Sequence, residues 1–210
     1  MGKNTSEYFF NPYFITFGQS KKTLAGESIR VQDIPNLHGA LGKGLRGESL
    51  SSRKNRHFIP AVKKLGITQI IDLRTADHSE KFKNTVEKDG LGYSHFPIDA
   101  NATSTREIIN YLPSLIKQID EGNFYIACAQ GLHRTDIALS MYYLFNPRAE
   151  KPPVLYGYKR SDGLHIDAIM QRANSIFREL TEDDRKKLGL ENFDEKAFKK
   201  KKQTLIQSNN

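Results

Sequence analysis

The chain has 210 residues, a length typical of one compact domain, and its 38% hydrophobic and 27% charged residues fit a globular protein. This composition excludes a collagen-like or fully disordered chain. Lys and Arg number 32 against 24 Asp and Glu, so the formal net charge is +8, which favours anionic partners such as phosphorylated molecules, nucleic acid or acidic membrane.

The N-terminal part of the chain predicts little regular structure. Residues 1–17 are rich in aromatic side chains and predict an arm or strand that packs on the main body. Residues 18–56 are rich in Gly, Ser, Lys and Asn and are typical of loop, with one short strand expected near 43–46. We therefore assign residues 1–42 to an N-terminal arm and loop that packs on the core.

The centre of the chain alternates strand patterns with helix patterns. β-branched or apolar runs predict strands at 67–73, 93–98 and 124–127. Periodic apolar positions or polar surface patterns predict helices at 57–65, 78–89, 108–119, 137–145 and 164–180. Pro113 is expected to kink or break the helix that contains it. Asp72 and Arg74, at the end of the first of these strands, are expected to form a salt bridge or cap.

This alternation predicts an α/β fold. Strands that are each followed by a helix imply right-handed crossovers and a mainly parallel central sheet flanked by helices. In such sheets, ligands bind beyond the carboxyl ends of the strands, so we expect the functional site directly after residue 127. Residues 43–180 are assigned to this catalytic domain. Residues 181–210 are assigned to a basic C-terminal helix and tail, in which the lysine run 199–202 forms a solvated face.

The residues after the third predicted strand carry the chemistry. Residues 128–135 have the sequence CAQGLHRT and connect that strand to a helix. Main-chain N–H groups in such a loop can form an anion-binding nest, and the helix N-terminus adds about half a positive charge. This field favours the thiolate form of Cys128. Gly131 permits a tight turn, and the planar fork of Arg134 can hold two phosphate oxygens.

Cys128 to Arg134 resembles the C-x5-R signature loop of the cysteine-based protein tyrosine phosphatase superfamily. With Gly131 and Thr135, it is similar to the C-x-x-G-x-x-R-T form of the dual-specificity-phosphatase-like branch. The resemblance covers roughly residues 43–145 and implies a phosphotyrosine protein phosphatase-like fold. It implies that Cys128 is the nucleophile and that the hydroxyl of Thr135 stabilises the leaving thiolate. The implied phosphate-binding residues are Ala129, Gln130, Gly131, Leu132, His133 and Arg134.

The same family uses a general acid on a loop upstream of the cysteine. Asp99 follows the second predicted strand and lies 29 residues before Cys128, a spacing similar to that of dual-specificity phosphatases. The resemblance therefore implies that Asp99 protonates the leaving oxygen. The other interpretation of Asp99 is a helix N-cap or turn residue, and the other interpretation of Cys128 is a buried structural thiol.

Two residues depart from the family pattern. Ala127 stands where the family usually has the histidine that helps orient the loop, and Asp136 stands where it usually has glycine. A carboxylate at Asp136 suits the start of a helix, yet we expect it close to the bound phosphate, and Asp136 is the next candidate for the acid. These departures keep open a phosphate-binding pseudophosphatase or adaptor as the alternative function.

The predicted function is a metal-independent phosphatase that hydrolyses phosphate monoesters through a phosphocysteine intermediate. We expect no cofactor and no metal. The expected substrate is a phosphorylated protein (on tyrosine, serine or threonine) or a small phosphorylated molecule such as an inositol phosphate. We expect a monomer without a nucleic-acid partner, and membrane contact through the basic tail is a minor alternative. A single cysteine fits a cytoplasmic location, and a periplasmic or secreted location stays open if a leader peptide has been removed.

Overall fold

The computed structural model describes residues 34–51, 56–75, 79–98, 104–157 and 164–209. In these ranges the strands are β1 His38–Ala40, β2 Gly44–Glu48, β3 Gln69–Asp72, β4 Gly92–His95 and β5 Phe124–Cys128. The α-helices are α1 Ile59–Lys64, α2 Ser79–Lys88, α3 Thr105–Glu121, α4 His133–Phe145, α5 Leu164–Glu179, α6 Glu182–Lys187 and α7 Glu195–Gln207. A 3-10 turn, Arg56–Phe58, leads into α1. No helix in these ranges is long and apolar enough to cross a membrane.

The five strands form one sheet in the order β1-β2-β5-β3-β4. β1 pairs with β2 in the antiparallel direction, and the other neighbouring pairs are parallel. Every residue of β5, which lies between β2 and β3, is buried. The prediction of an α/β fold with a mainly parallel central sheet is therefore confirmed. β1 was not predicted, because three residues in a glycine-containing stretch carry no periodic pattern.

The chain divides into two compact units, and the first contains the whole sheet. This unit comprises the described residues up to Pro97 together with Gly122–Gly131. Its core is an aliphatic and aromatic cluster that includes Ile34, Leu37, Leu45, Val62, Ile70 and Tyr125. Each such side chain contributes about 1.5–3 kcal/mol when fully buried. Ile34 and Leu37 thus pack in this core, whereas residues 1–33 lie outside the described residues, so the N-terminal arm stays a prediction.

Asp72 and Arg74 form a salt bridge at the carboxyl end of β3, as the sequence predicts. Arg74 Nη2 lies 2.6 Å from Asp72 Oδ2, and the Arg74 main-chain N–H donates to Asp72 Oδ1 at 3.0 Å. The Tyr93 hydroxyl donates to the same carboxylate at 2.9 Å. The pKa of Tyr93 is raised, mainly by burial and secondly by the negative charge of Asp72. The hydroxyl therefore stays protonated and donates its hydrogen bond.

The second unit comprises Ile98–Glu121 and Leu132–Asn210 and contains α3 to α7. α3 runs through Pro113 without a break, and the kink that the sequence allows there stays a prediction. A proline inside a helix costs about 3 kcal/mol. Burial of the apolar face of α3 offsets this cost several times over, at about 1.5–3 kcal/mol for each large aliphatic side chain. The buried residues of that face are Ile108, Ile109, Leu112, Leu115, Ile116 and Ile119.

Helix α4 is held at its C-terminus by a lysine from α7. Lys201 Nζ donates to the carbonyl oxygens of Tyr143, Asn146 and Ala149 at 2.7–2.8 Å. A cation at this end of a helix also complements the helix dipole. The interpretation of the lysine run as a solvated face is therefore wrong for Lys201. Phe198, which precedes Lys201 in α7, is buried against the rings of Phe145 and Phe177, and this packing holds α7 close to α4.

Candidate active site

Strand β5 ends at Cys128, which therefore lies at the carboxyl edge of the sheet. The Cys128 side chain is buried, and its carbonyl oxygen accepts a hydrogen bond of 2.9 Å from the main-chain N–H of Ser49, just after β2. Four residues, 129–132, then connect the strand to α4. The predicted order of strand, short loop and helix is therefore correct, and the thiol lies where a parallel α/β sheet binds its ligands.

Two further carbonyl groups of this loop are held by side chains from the β1–β2 region. Asn36 Nδ2 donates to the carbonyl oxygen of Gln130 at 2.9 Å. The Arg46 guanidinium donates to the carbonyl oxygen of Gly131 through Nη2 at 2.8 Å and through Nε at 3.3 Å. In a trans peptide, the carbonyl and the following N–H point in opposite directions. The N–H groups that follow these carbonyls are therefore directed away from β1 and β2, as an anion-binding nest requires.

Gly131 packs directly against the main chain of β2. Its φ of +70° lies in the left-handed region that favours glycine. A Cβ on this residue would lie 2.7 Å from the main-chain nitrogen of Glu48 and closer still to the carbonyl group of Gly47. Glycine is therefore required at this position by both conformation and space.

Helix α4 begins without a side-chain cap. Its N-cap residue is Leu132, which offers no side-chain acceptor to the first N–H groups of the helix. The partial positive charge of this helix end is therefore available to an anion. Arg134 lies in the first turn and is half-buried, and its guanidinium has no ion pair or side-chain hydrogen bond within the described part of the chain.

Thr135 is fully buried in the first turn of α4. Its Oγ1 has no hydrogen-bond partner among the described residues. A buried hydroxyl without a partner costs about 1–3 kcal/mol, so such a group calls for an explanation. Donation from this hydroxyl to the Cys128 sulfur remains a prediction.

Asp136 has a structural partner that the sequence did not reveal. Its buried carboxylate accepts hydrogen bonds from the main-chain N–H groups of Gly157 at 2.8 Å and Tyr156 at 3.3 Å. The same carboxylate lies 3.3 Å from Nε2 of His165, whose ring meets the His133 ring edge-on at 4.8 Å. Asp136 therefore attaches the segment at 156–157 to the start of α4. These partners account for a carboxylate at this position without a role as the acid.

The predicted phosphate-binding residues are consecutive in the chain. Residues 129–131 belong to the first unit, and residues 132–134 belong to the second. The side chains of Ala129, Gln130 and His133 are exposed, whereas Gly131 and Leu132 are buried. Asp99 lies outside the described residues, so its placement stays a prediction. Among the residues that the structure describes, no group of three or more His, Cys, Asp and Glu side chains could hold a metal ion.

Sequence reasoning missed the residues that support this loop. Arg46 lies in the short strand expected near 43–46, and Asn36 lies in the stretch predicted to be loop. Neither residue has a local signal for its contact, because Arg46 and Gly131 are 85 residues apart and Asn36 and Gln130 are 94 apart. The only available signal was the arginine itself within a short strand pattern.

No protein-family model and no curated protein sequence matches the chain. Among solved structures, it is similar to a DUF442 protein from Shewanella putrefaciens CN-32 that is named as a candidate phosphatase. The TM-score is 0.54 at 15% identity, over 72% of this chain and 94% of that protein. TpbA from P. aeruginosa gives 0.44 at 14% identity, over 85% and 94% of the two chains. The core catalytic domain of the PP-IP phosphatase SIW14 from S. cerevisiae gives 0.42 at 14% identity, over 79% and 89%.

The similarity to the Shewanella protein shows the fold. The α/β fold that the resemblance implies is therefore confirmed, whereas membership of the cysteine-based protein tyrosine phosphatase superfamily stays a prediction. The dual-specificity-like branch stays a prediction.

Proposed function

We propose that this protein is a metal-independent phosphatase that hydrolyses phosphate monoesters through a phosphocysteine intermediate. One observation carries the proposal. The buried Cys128 ends the central strand, and the carbonyl groups of the loop that follows accept hydrogen bonds from Asn36 and Arg46. This loop runs directly into an uncapped helix with Arg134 in its first turn. A thiol, a set of N–H groups and a guanidinium along one short loop can supply a nucleophile and a binding site for a phosphate dianion. The fold of a phosphatase-like protein supports the same conclusion.

The proposed reaction has two steps. In the first, the Cys128 thiolate attacks phosphorus, the S–P bond forms, and the P–O bond to the leaving group breaks while Asp99 donates its proton to the leaving oxygen. In the second, water attacks phosphorus, Asp99 takes a proton from that water, and the S–P bond breaks to release phosphate and thiolate. Arg134 and the loop N–H groups stabilise the charge on the equatorial oxygens in both steps.

Thr135 fits a role in the second step. Its buried hydroxyl, which has no hydrogen-bond partner in the described ranges, is one residue beyond the arginine. We propose that this hydroxyl donates to the thiolate as the S–P bond breaks. The exposed Ala129, Gln130 and His133 would face the part of the substrate beyond the phosphate. A phosphorylated protein and a small phosphorylated molecule such as an inositol phosphate both fit this proposal.

Hydrolysis of an aryl phosphate tests the function. We expect turnover by the wild-type protein, competition by vanadate, and an unchanged rate after treatment with a chelator. Cys128→Ser should abolish turnover and retain binding of vanadate, because main-chain groups form most of the site. Arg134→Lys should be severely impaired, since one ammonium cannot replace the planar fork. Turnover of Cys128→Ser near the wild-type rate would contradict the covalent mechanism, and vanadate binding without wild-type turnover would favour the pseudophosphatase.

The leaving group tests Asp99. A general acid matters most when the leaving oxygen is a poor leaving group. We expect Asp99→Asn to slow hydrolysis of an alkyl phosphate or phosphotyrosine by about 10²-fold, with a smaller effect on an activated aryl phosphate. Equal slowing for all leaving groups would mean that Asp99 only shapes its loop.

A further inference from the structure

Arg46 is a fully buried arginine within the strand that borders the cysteine-bearing strand. It lies in β2 opposite Ile126 of β5, in the parallel register that also pairs Glu48 with Cys128. Side chains two residues apart on a strand leave the same face of the sheet. Arg46 therefore projects from the face of the sheet that carries the Cys128 side chain.

Arg46 contacts the loop through its guanidinium. Two of its N–H groups donate to one acceptor, the carbonyl oxygen of Gly131, at 2.8 and 3.3 Å. A buried guanidinium is costly unless its donors are satisfied, and a charged donor makes a stronger hydrogen bond than a neutral one. An apolar side chain at this position would fill the same space without that cost. The charge on Arg46 therefore strengthens both hydrogen bonds to the Gly131 carbonyl.

The contact determines the orientation of one peptide group in the loop. The carbonyl of Gly131 and the N–H of Leu132 belong to the same planar unit and point in opposite directions. When Arg46 holds the carbonyl, the N–H is directed away from β2. Gly131 itself has a φ of +70°, a region in which glycine has several neighbouring conformations available, so the peptide needs an external support. The side chain of Ala127, directly before the cysteine, has no polar atom that could provide it.

We propose that Arg46 is a positioning residue that fixes the Gly131–Leu132 peptide, so that its N–H faces the bound phosphoryl group. This inference rests on the proposed function, because it assigns the purpose of the loop to phosphate binding. Arg46 does not touch the substrate. It acts through the peptide that it holds, and it makes the loop ready for an anion before the anion arrives.

Arg46→Met tests this role, because methionine is apolar and fills part of the same space without donors. Arg185→Met is the matched control, since Arg185 also donates to two main-chain carbonyls, those of Phe193 and Phe177, within the helical unit. For each variant we would measure thermal unfolding, the dissociation constant of vanadate, kcat and KM for an aryl phosphate, and the rate of Cys128 alkylation by iodoacetamide as a function of pH.

We expect Arg46→Met to weaken vanadate binding by about tenfold or more, the effect of losing one good hydrogen bond to an anion. We also expect kcat to fall more than KM rises, because the lost N–H contact strengthens as charge develops in the transition state. The pH at which alkylation is half-maximal should rise, since a misdirected N–H stabilises the thiolate less. Arg185→Met should lose thermal stability and keep the wild-type vanadate affinity and alkylation profile.

The outcomes separate the two proposals. A folded Arg46→Met with wild-type vanadate affinity and alkylation overturns the role of Arg46 and leaves the phosphatase proposal intact. Loss of vanadate binding in Arg46→Met, in a protein whose wild type binds vanadate without turnover, supports the role of Arg46 and overturns the phosphatase. A wild type that neither binds vanadate nor turns over overturns both.

Arg46→Lys decides the question if Arg46→Met does not fold. Lysine keeps the charge but has a single ammonium group, which cannot reproduce the planar pair of donors on the Gly131 carbonyl. We expect this variant to fold and to bind vanadate more weakly than the wild type. Wild-type vanadate affinity together with wild-type kcat in Arg46→Lys would overturn the proposal.

Discussion

Gly131→Ala is the substitution that most directly probes the geometry of the loop. The φ of +70° costs an alanine about 1–2 kcal/mol by itself. The new methyl group would also lie 2.7 Å from the nitrogen of Glu48, whereas ordinary van der Waals contacts begin at 3.4 Å. Both contacting groups, in Gly47 and Glu48, are main chain of a paired strand, so β2 cannot yield as a flexible side chain would.

The loop must therefore move, and the displacement predicts the loss of activity. Relief of the contact with β2 requires a shift on the order of 1 Å, and a misplacement of this size in a catalytic group costs about 10²-fold in rate. The same shift lengthens the hydrogen bonds from Arg46 to the Gly131 carbonyl. We therefore expect kcat to fall by about 10²-fold and the free energy of unfolding to fall by more than the 1–2 kcal/mol of conformational strain, in all about 2–4 kcal/mol.

Gly189→Ala is the matched control. Gly189 has a φ of +67°, and no described atom lies within 4 Å of the position of its Cβ. This variant therefore carries the same backbone strain without the steric contact, and we expect a loss of about 1–2 kcal/mol with unchanged turnover. The assays are urea unfolding and steady-state hydrolysis of an aryl phosphate. Equal destabilisation of the two variants, with normal turnover by Gly131→Ala, would refute the argument from close approach.

Three further predictions concern groups that hold the second unit together. Asp136→Ala removes the acceptor of two main-chain N–H groups and should cost about 2–3 kcal/mol in urea unfolding, with a smaller loss for Asp136→Asn; an unchanged midpoint would contradict the anchoring role. Lys201→Met removes one hydrogen-bond donor from each of three main-chain carbonyls and should cost about 1–3 kcal/mol, whereas Lys200→Met, at an exposed position of the same helix, should be neutral in the same assay. A hydrogen bond from Arg106 is the main reason that the pKa of Asp184 lies below its ordinary value. The stability contributed by Asp184 is therefore complete above the ordinary carboxyl pKa and is lost as the pH falls toward the lower folded value, so Asp184→Asn should flatten that part of the acid unfolding curve.

The sequence by itself determined the elements whose signals are local. The buried strand at 69–72 follows from a β-branched run, and α3 follows from six apolar residues on one face. The loop after β5 was predictable because Cys128, Gly131 and Arg134 lie within seven residues that directly follow a strand pattern. Helix α6 was missed although a local signal existed, since Thr181 and Asp184 form a capping box at its start.

Only the tertiary structure decided what supports the loop and what Asp136 does. The partners of the loop carbonyls come from residues 85 and 94 positions away, brought close by the pairing of β2 with β5. From the sequence, Asp136 is a carboxylate expected close to a bound phosphate. In the structure it is buried and holds the 156–157 segment and His165 at the start of α4. A hydrogen bond between distant residues leaves no periodic trace in either segment. Its existence depends on how the strands and helices pack, which no local pattern encodes.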